Sequence, residues 1–131
     1  FDLTGKDPEN SWLTRDAEIV TKYYAEPKCT YTFTLNGYLG LFEAVRFDNQ
    51  QDNINKIPKD LPVLIMSGAK DPVGGLGTGV TRVYEQYKAA GLQNLSFKLY
   101  EDARHEILNE INREEVYKDI TEWLEENKEA N

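Results

Sequence analysis

The hydrophobic positions of this chain change their period halfway along it. From residue 14 the spacing is helical: Thr14 as a capping hydroxyl, Asp16 in the first turn, Ile19, Val20, Tyr23 and Tyr24 as an apolar stripe, and Pro27 as the stop. The stretch FTLNGYLGLFEAVRF (33–47) predicts a second helix, apolar around most of its circumference. Such a helix either packs on several sides or faces an apolar ligand. A polar connector, DNQQDNINKIPKD, follows; its Asp48 and Asp52 lack the spacing of a calcium loop and read as solvated. Beyond it the pattern becomes that of strands. Residues 61–66 form a continuous apolar run ended by Gly68, the pattern of a strand covered on both faces. Val80, Val83, Tyr84 and Tyr87 return to helical spacing, with Gly91 as the C-terminal stop. LSFKLY alternates Leu95, Phe97 and Leu99, a second strand. A last helix opens at about Asn112, with Glu115 completing a capping box and Val116, Ile120, Trp123 and Leu124 as its stripe.

Strand, helix, strand, helix implies an α/β fold with two parallel strands joined by a right-handed crossover. A strand covered on both faces needs partners on both edges, yet only two strands are legible. Unpaired backbone groups cost about 1–3 kcal/mol each where water is excluded, against a typical domain stability of roughly 5–15 kcal/mol. The free edge is therefore expected to pair, either with an N-terminal half of the same protein or with a second copy of the chain. The opening FDLTGKDPEN has no initiator Met and none of the features of a signal peptide, so the chain is expected to begin partway through a longer protein.

Composition narrows the function. The chain has 131 residues, one domain or part of one. Asp and Glu outnumber Lys and Arg by 23 to 15, for a formal charge of -8. No basic stripe is present for a phosphate backbone, which argues against nucleic acid and anionic membrane surfaces. No apolar run is long enough for a transmembrane segment. The single cysteine, Cys29, precludes an internal disulfide, fits a reducing, cytoplasmic location, and reads as a small buried apolar side chain. One histidine without Cys or carboxylates at ligand spacing makes a poor metal site, and no cofactor is expected. GGLGTG lacks both the Lys-Ser/Thr pair of a P-loop and the spacing of a dinucleotide fingerprint, and reads as a flexible rim.

What remains is a pair of residues. Asp71 follows the first strand, in SGAKDPVGGLGTG, and His105, the only histidine, follows the second, in YEDARHEILNE. Parallel strands send the loops after their C-terminal ends to one edge of the sheet, where open α/β sheets place their chemistry. Neighbouring strands lie about 4.8 Å apart, so short loops can bring carboxylate and imidazole together. A carboxylate there fixes the imidazole tautomer and stabilises the imidazolium, making the ring a general base. Taken singly, each residue is explained as well by a duller role: Asp71 as a turn former before Pro72, His105 as a surface or packing residue. Their joint placement, acid before histidine, matches the Ser, Asp, His chain order of α/β-hydrolases. The nucleophile is missing. The three serines, Ser11, Ser67 and Ser96, are not flanked as G-x-S-x-G, and no oxyanion-hole sequence precedes them.

LPVLIMSGAKDPVG, YKAAGLQNLSFKLYEDARHEILNE and EVYKDITEWLEEN together resemble the C-terminal part of α/β-hydrolases of the serine aminopeptidase, monoacylglycerol lipase and lysophospholipase-like branch. SWLTRDAEIVTKYYAEPKCTYTFTLNGYLGLFEAVRF is similar to the end of that branch's cap region. The resemblance implies cap helices and connector over 1–56 and the C-terminal strand-helix-strand-helix part of the hydrolase core over 57–131. It implies that Asp71 is the triad acid and His105 the triad base. Phe33, Tyr38, Leu39 and Phe42 would then contact an acyl substrate or pack in a core, and Arg104 and Glu106 would orient the histidine loop or lie at the surface. The implied parent is a serine-dependent hydrolase of small or lipid-like acyl substrates, with this chain inactive alone. The alternative is a non-catalytic binding module derived from such a fold.

Overall fold

The two strand patterns of the second half pair directly. In the computed structural model, which describes residues 11–128, β1 (Val63–Gly68) and β2 (Leu95–Tyr100) run parallel, with Val63 opposite Leu95 and Gly68 opposite Tyr100. Helix α4 (Thr78–Ala89) makes the crossover and packs on both strands, with Tyr84 stacked on Phe97 at 4.7 Å between ring centroids. It stops where expected, at Gly91, whose φ of +91° is left-handed and open to glycine without strain. Helix α5 (Arg113–Asn127) follows β2. Its Val116 joins Tyr100 and Ala103 in the buried core, with Met66, Ile107 and Ile120 packed around them.

Upstream lie three helices, α1 (Ala17–Ala25), α2 (Leu35–Asp48) and the single turn α3 (Gln51–Ile54). The cap of α1 is Asp16, whose carboxylate accepts the amides of Glu18 and Ile19. Thr14, expected to cap, is instead buried, its hydroxyl donating to the Asn109 carbonyl at 2.9 Å. Thr34 caps α2 by accepting the Gly37 amide at 3.1 Å. The connector is less irregular than its composition suggests, since α3 lies within it and Ile54 is buried.

Three expectations are corrected. Strand β1 is not covered on both faces by the described residues: Gly68 is buried and the five residues before it are half-buried. Only β2 pairs with it among those residues, so one edge and part of each face remain unfilled. Asn112 does not complete a capping box, because its side-chain amide donates to the Glu115 carboxylate and its oxygen is taken by Arg15. Cys29 is exposed, lying in the turn after α1 where no apolar surface covers it. No helix among the described residues is long and apolar enough to cross a membrane.

Candidate active site

The loops after β1 and β2 are joined where the strands end. Gly68 lies so close to the second loop that a Cβ on it would stand 2.2 Å from the Ala103 carbonyl oxygen, an approach that only glycine allows. From there the Ala69 amide donates to the Tyr100 carbonyl and the Lys70 amide to the Ala103 carbonyl, both at 2.9 Å. The next residue is Asp71. Its side chain is buried at 7 % exposure, and its Oδ1 accepts the Val73 amide at 2.9 Å in a local turn. The glycine loop beyond it, expected as a loose rim, is a series of hydrogen-bonded turns. The Leu76 amide bonds back to the Asp71 carbonyl at 2.8 Å and the Gly79 amide to the Gly74 carbonyl at 3.0 Å.

Asp71 Oδ2 lies 3.1 Å from His105 Nδ1. Two residues 34 positions apart therefore meet across the sheet edge, through the strand-end geometry that the sequence implied. The imidazole is 38 % exposed while the carboxylate is nearly dry, so the bond is shielded on the acid side and open on the ring side. With a proton on Nδ1 directed at the carboxylate, Nε2 is the basic nitrogen, and it has no hydrogen-bond partner among the described residues. That leaves it able to receive a proton from an incoming hydroxyl.

The histidine loop is also held by residues far upstream. The amides of His105 and Glu106 donate to the carbonyls of Trp12 and Leu13, at 3.4 and 2.8 Å. The Arg104 guanidinium donates to the Ser11 carbonyl, so it is buried and structural rather than at the surface. Glu106 accepts the Asn109 side-chain amide. The indole of Trp12 lies 5.3 Å from the His105 ring, tilted by 42°. Sequence reasoning missed Trp12 and the buried Glu110. Trp12 meets His105, and Glu110 meets Arg15, across more than ninety positions of sequence, and no periodicity links them.

The apolar residues of α2, with Phe33 just before it, form a separate surface. Phe33, Tyr38 and Phe42 make a chain of ring contacts at 5.5 and 6.1 Å, and all three are exposed, as is Leu39. None of the four bonds to or stacks on Asp71 or His105 among the described residues. Nor do the described residues contain a cluster of three His, Cys, Asp or Glu able to hold a metal.

Away from the site, Lys98 on β2 donates to Asp119 and Glu115 of α5, and the Tyr100 hydroxyl donates to Asp119 at 2.6 Å. The lysine beside Asp119 holds its carboxyl below the usual range, and burial together with that carboxylate pushes the Tyr100 phenol up.

Residues 3–112 match the family model of the serine aminopeptidase S33 hydrolases. The chain belongs to this family. Among solved structures it is similar to a highly thermostable carboxyl esterase from Bacillus coagulans in complex with glycerol, at 25 % identity and a TM-score of 0.83. That match covers 93 % of this chain but 41 % of the esterase, so the S33 chain described here spans well under half the length of this relative. No characterised protein matches it significantly by sequence. The expected α/β-hydrolase architecture is thus the observed one: two parallel strands, a crossover helix and flanking helices that superpose on part of an esterase.

Proposed function

We propose that this chain carries the acid and base of a serine-dependent acyl hydrolase, with the nucleophile supplied by sequence outside these 131 residues. The observation that carries this reading is the Asp71–His105 contact at the edge of a parallel sheet in a member of the S33 family. In the reaction, His105 Nε2 takes the proton of the serine hydroxyl as it attacks the acyl carbon, then returns that proton to the leaving group. Asp71 holds the ring in the productive tautomer and stabilises the imidazolium without taking the proton. The absence of any G-x-S-x-G in the chain, and its coverage of 41 % of the esterase, support a nucleophile from elsewhere. The substrate class is a small or lipid-like acyl ester, in keeping with the carboxyl esterase that the chain resembles in structure and with the exposed Phe33, Tyr38, Leu39 and Phe42, which would line an acyl site. Residues 1–56 would then serve as cap helices and connector, and 57–131 as the end of the hydrolase core.

The test is hydrolysis of p-nitrophenyl butyrate by the intact protein. His105→Ala is expected to lower kcat by roughly four orders of magnitude with the fold retained; near-normal turnover would remove His105 from the chemistry. The 131-residue chain alone is expected to resist labelling by a fluorophosphonate, and a labelled Ser11, Ser67 or Ser96 would overturn the external nucleophile.

A further inference from the structure

Asp71 fixes one nitrogen of His105, but a ring held at one atom can still swing about that bond. What restricts the swing lies at the other end of the chain. Glu110 is wholly buried and accepts the Arg104 amide at 2.8 Å, Arg15 Nε at 2.9 Å, the Ile111 amide at 3.2 Å and the Arg15 amide at 3.3 Å. A buried carboxylate is tolerated when it is this fully bonded, yet apolar packing of the same volume often stabilises a fold as well. Stability alone therefore does not account for a charge here. Its bonds tie Arg104, the residue before His105, to Arg15, three residues after Trp12. Trp12 in turn accepts the His105 amide on its carbonyl, lays its indole against the imidazole at 5.3 Å, and donates its indole N–H to the Tyr24 hydroxyl at 2.9 Å. The indole is thus held on its polar edge while its ring meets the histidine.

We propose that Trp12 and Glu110 are positioning residues for His105: Glu110 clasps residues 11–15 to the histidine loop, and Trp12 sets the plane of the imidazole whose tautomer Asp71 sets. This rests on His105 being the general base. A base whose nitrogen must meet a hydroxyl at hydrogen-bond distance loses rate quickly when misplaced, so a contact that never touches substrate still governs turnover.

The test reads the ring itself. In the intact protein, the His105 Nδ1–H proton and ring C–H resonances are identified by their loss in His105→Gln. In Trp12→Leu the C–H resonances are expected to shift, the Nδ1–H signal to broaden by exchange with water, and kcat on p-nitrophenyl butyrate to fall roughly tenfold with KM within about twofold. Trp12→Phe, which keeps an aromatic face, is expected to recover most of both. Glu110→Gln should act in the same direction and more strongly; if that variant does not fold, the two Trp12 variants decide. An unchanged Nδ1–H signal in Trp12→Leu, or a kcat loss that Trp12→Phe does not relieve, would overturn the positioning role. Full activity in His105→Ala would instead sink the general-base reading, and the resonances would still decide whether Trp12 and Glu110 hold the ring.

Discussion

Helix α2 and strand β1 are the two most continuously apolar stretches of the chain, and they meet opposite fates. Strand β1 finds β2 on one edge and α4 across it, and it ends in the loop that carries Asp71. Helix α2 has no buried residue: Leu35, Leu39, Leu41, Phe42, Val45 and Phe47 are all exposed. A monomeric surface seldom carries so much contiguous apolar area unless it is an interaction or ligand face. The contrast teaches that apolar content alone does not say where a core will be. The strand-helix-strand part packs its apolar residues partly against one another, with one edge of β1 open among the described residues. Helix α2 has apolar surface that the described residues do not cover, and it makes its main contact with α3.

The sharpest way to break this comparison is at the site that the strands position. Asp71→Asn leaves the shape of the loop but lets the imidazole take the wrong tautomer, and kcat in the intact protein is expected to fall by about 10⁴. A loss confined to KM would show that Asp71 serves the turn rather than the base. Mutations in α2 have no such route to the imidazole. Under the proposed function, in which Phe42 would line an acyl site, Phe42→Ala is expected to change KM for longer acyl chains more than kcat. Parallel losses of kcat across all chain lengths would place it elsewhere.

Next in size comes Gly68→Ala. The added methyl meets the Ala103 carbonyl and the backbone beyond it, which are not flexible side-chain ends, so strand and loop must part. Overpacking of this kind costs about 1–3 kcal/mol. Both thermal stability and turnover should drop, because the displaced loop holds His105. In α2, Gly40→Ala meets nothing within 4 Å and should stabilise that helix slightly, by about 1 kcal/mol or less. A neutral Gly68→Ala would break the claim that the strand end sets the site.

These differences also show what the sequence made legible. Strand periodicity, the crossover and the chain order of Asp71 and His105 could be read, because parallel pairing converts sequence position into a place on one sheet edge. The helix after residue 14 was legible as a helix but not in its cap. Thr14 and Asp16 are equally good capping residues, and it is the Asn109 carbonyl, ninety-five positions away, that takes the threonine hydroxyl proton. Asn112 was lost to its predicted box in the same way, by Arg15. Trp12 and Glu110 were invisible for this reason too: their roles depend on residues 11–15 lying beside the histidine loop, a pairing that no local pattern encodes.

The apolar faces themselves can be tested by association. With α2 bare and one edge of β1 open among the described residues, the 131-residue chain alone is expected to elute from size exclusion as an oligomer rather than at 15.1 kDa. Leu39→Ser with Phe42→Ser should shift it toward monomer if the helix is the sticky element, while Leu64→Lys should do so if the sheet is. A wild-type monomer would mean that neither surface drives association.

The smallest effect expected lies at the bonds between β2 and α5. Asp119 is hydrogen-bonded by Lys98 and by Tyr100, and the lysine holds its carboxyl below the unfolded value of about 3.9. A carboxyl whose folded value is depressed contributes stability that is complete well above the unfolded value and is lost as pH falls through the folded one. The bond between β2 and α5 should therefore be at full strength at neutral pH and weaken below about pH 4. Asp119 is partly exposed, and solvent screens the pair, so the contribution is about 0.2–1 kcal/mol. Asp119→Asn should lower the thermal midpoint by a few degrees at pH 7 and by less at pH 3, where the wild-type carboxyl is gaining its proton. A difference that is the same at both values would trace the loss to the Tyr100 hydrogen bond and packing rather than to charge. That outcome would leave the β2–α5 contact a matter of shape, as the buried Val116 and Ala103 beside it already are.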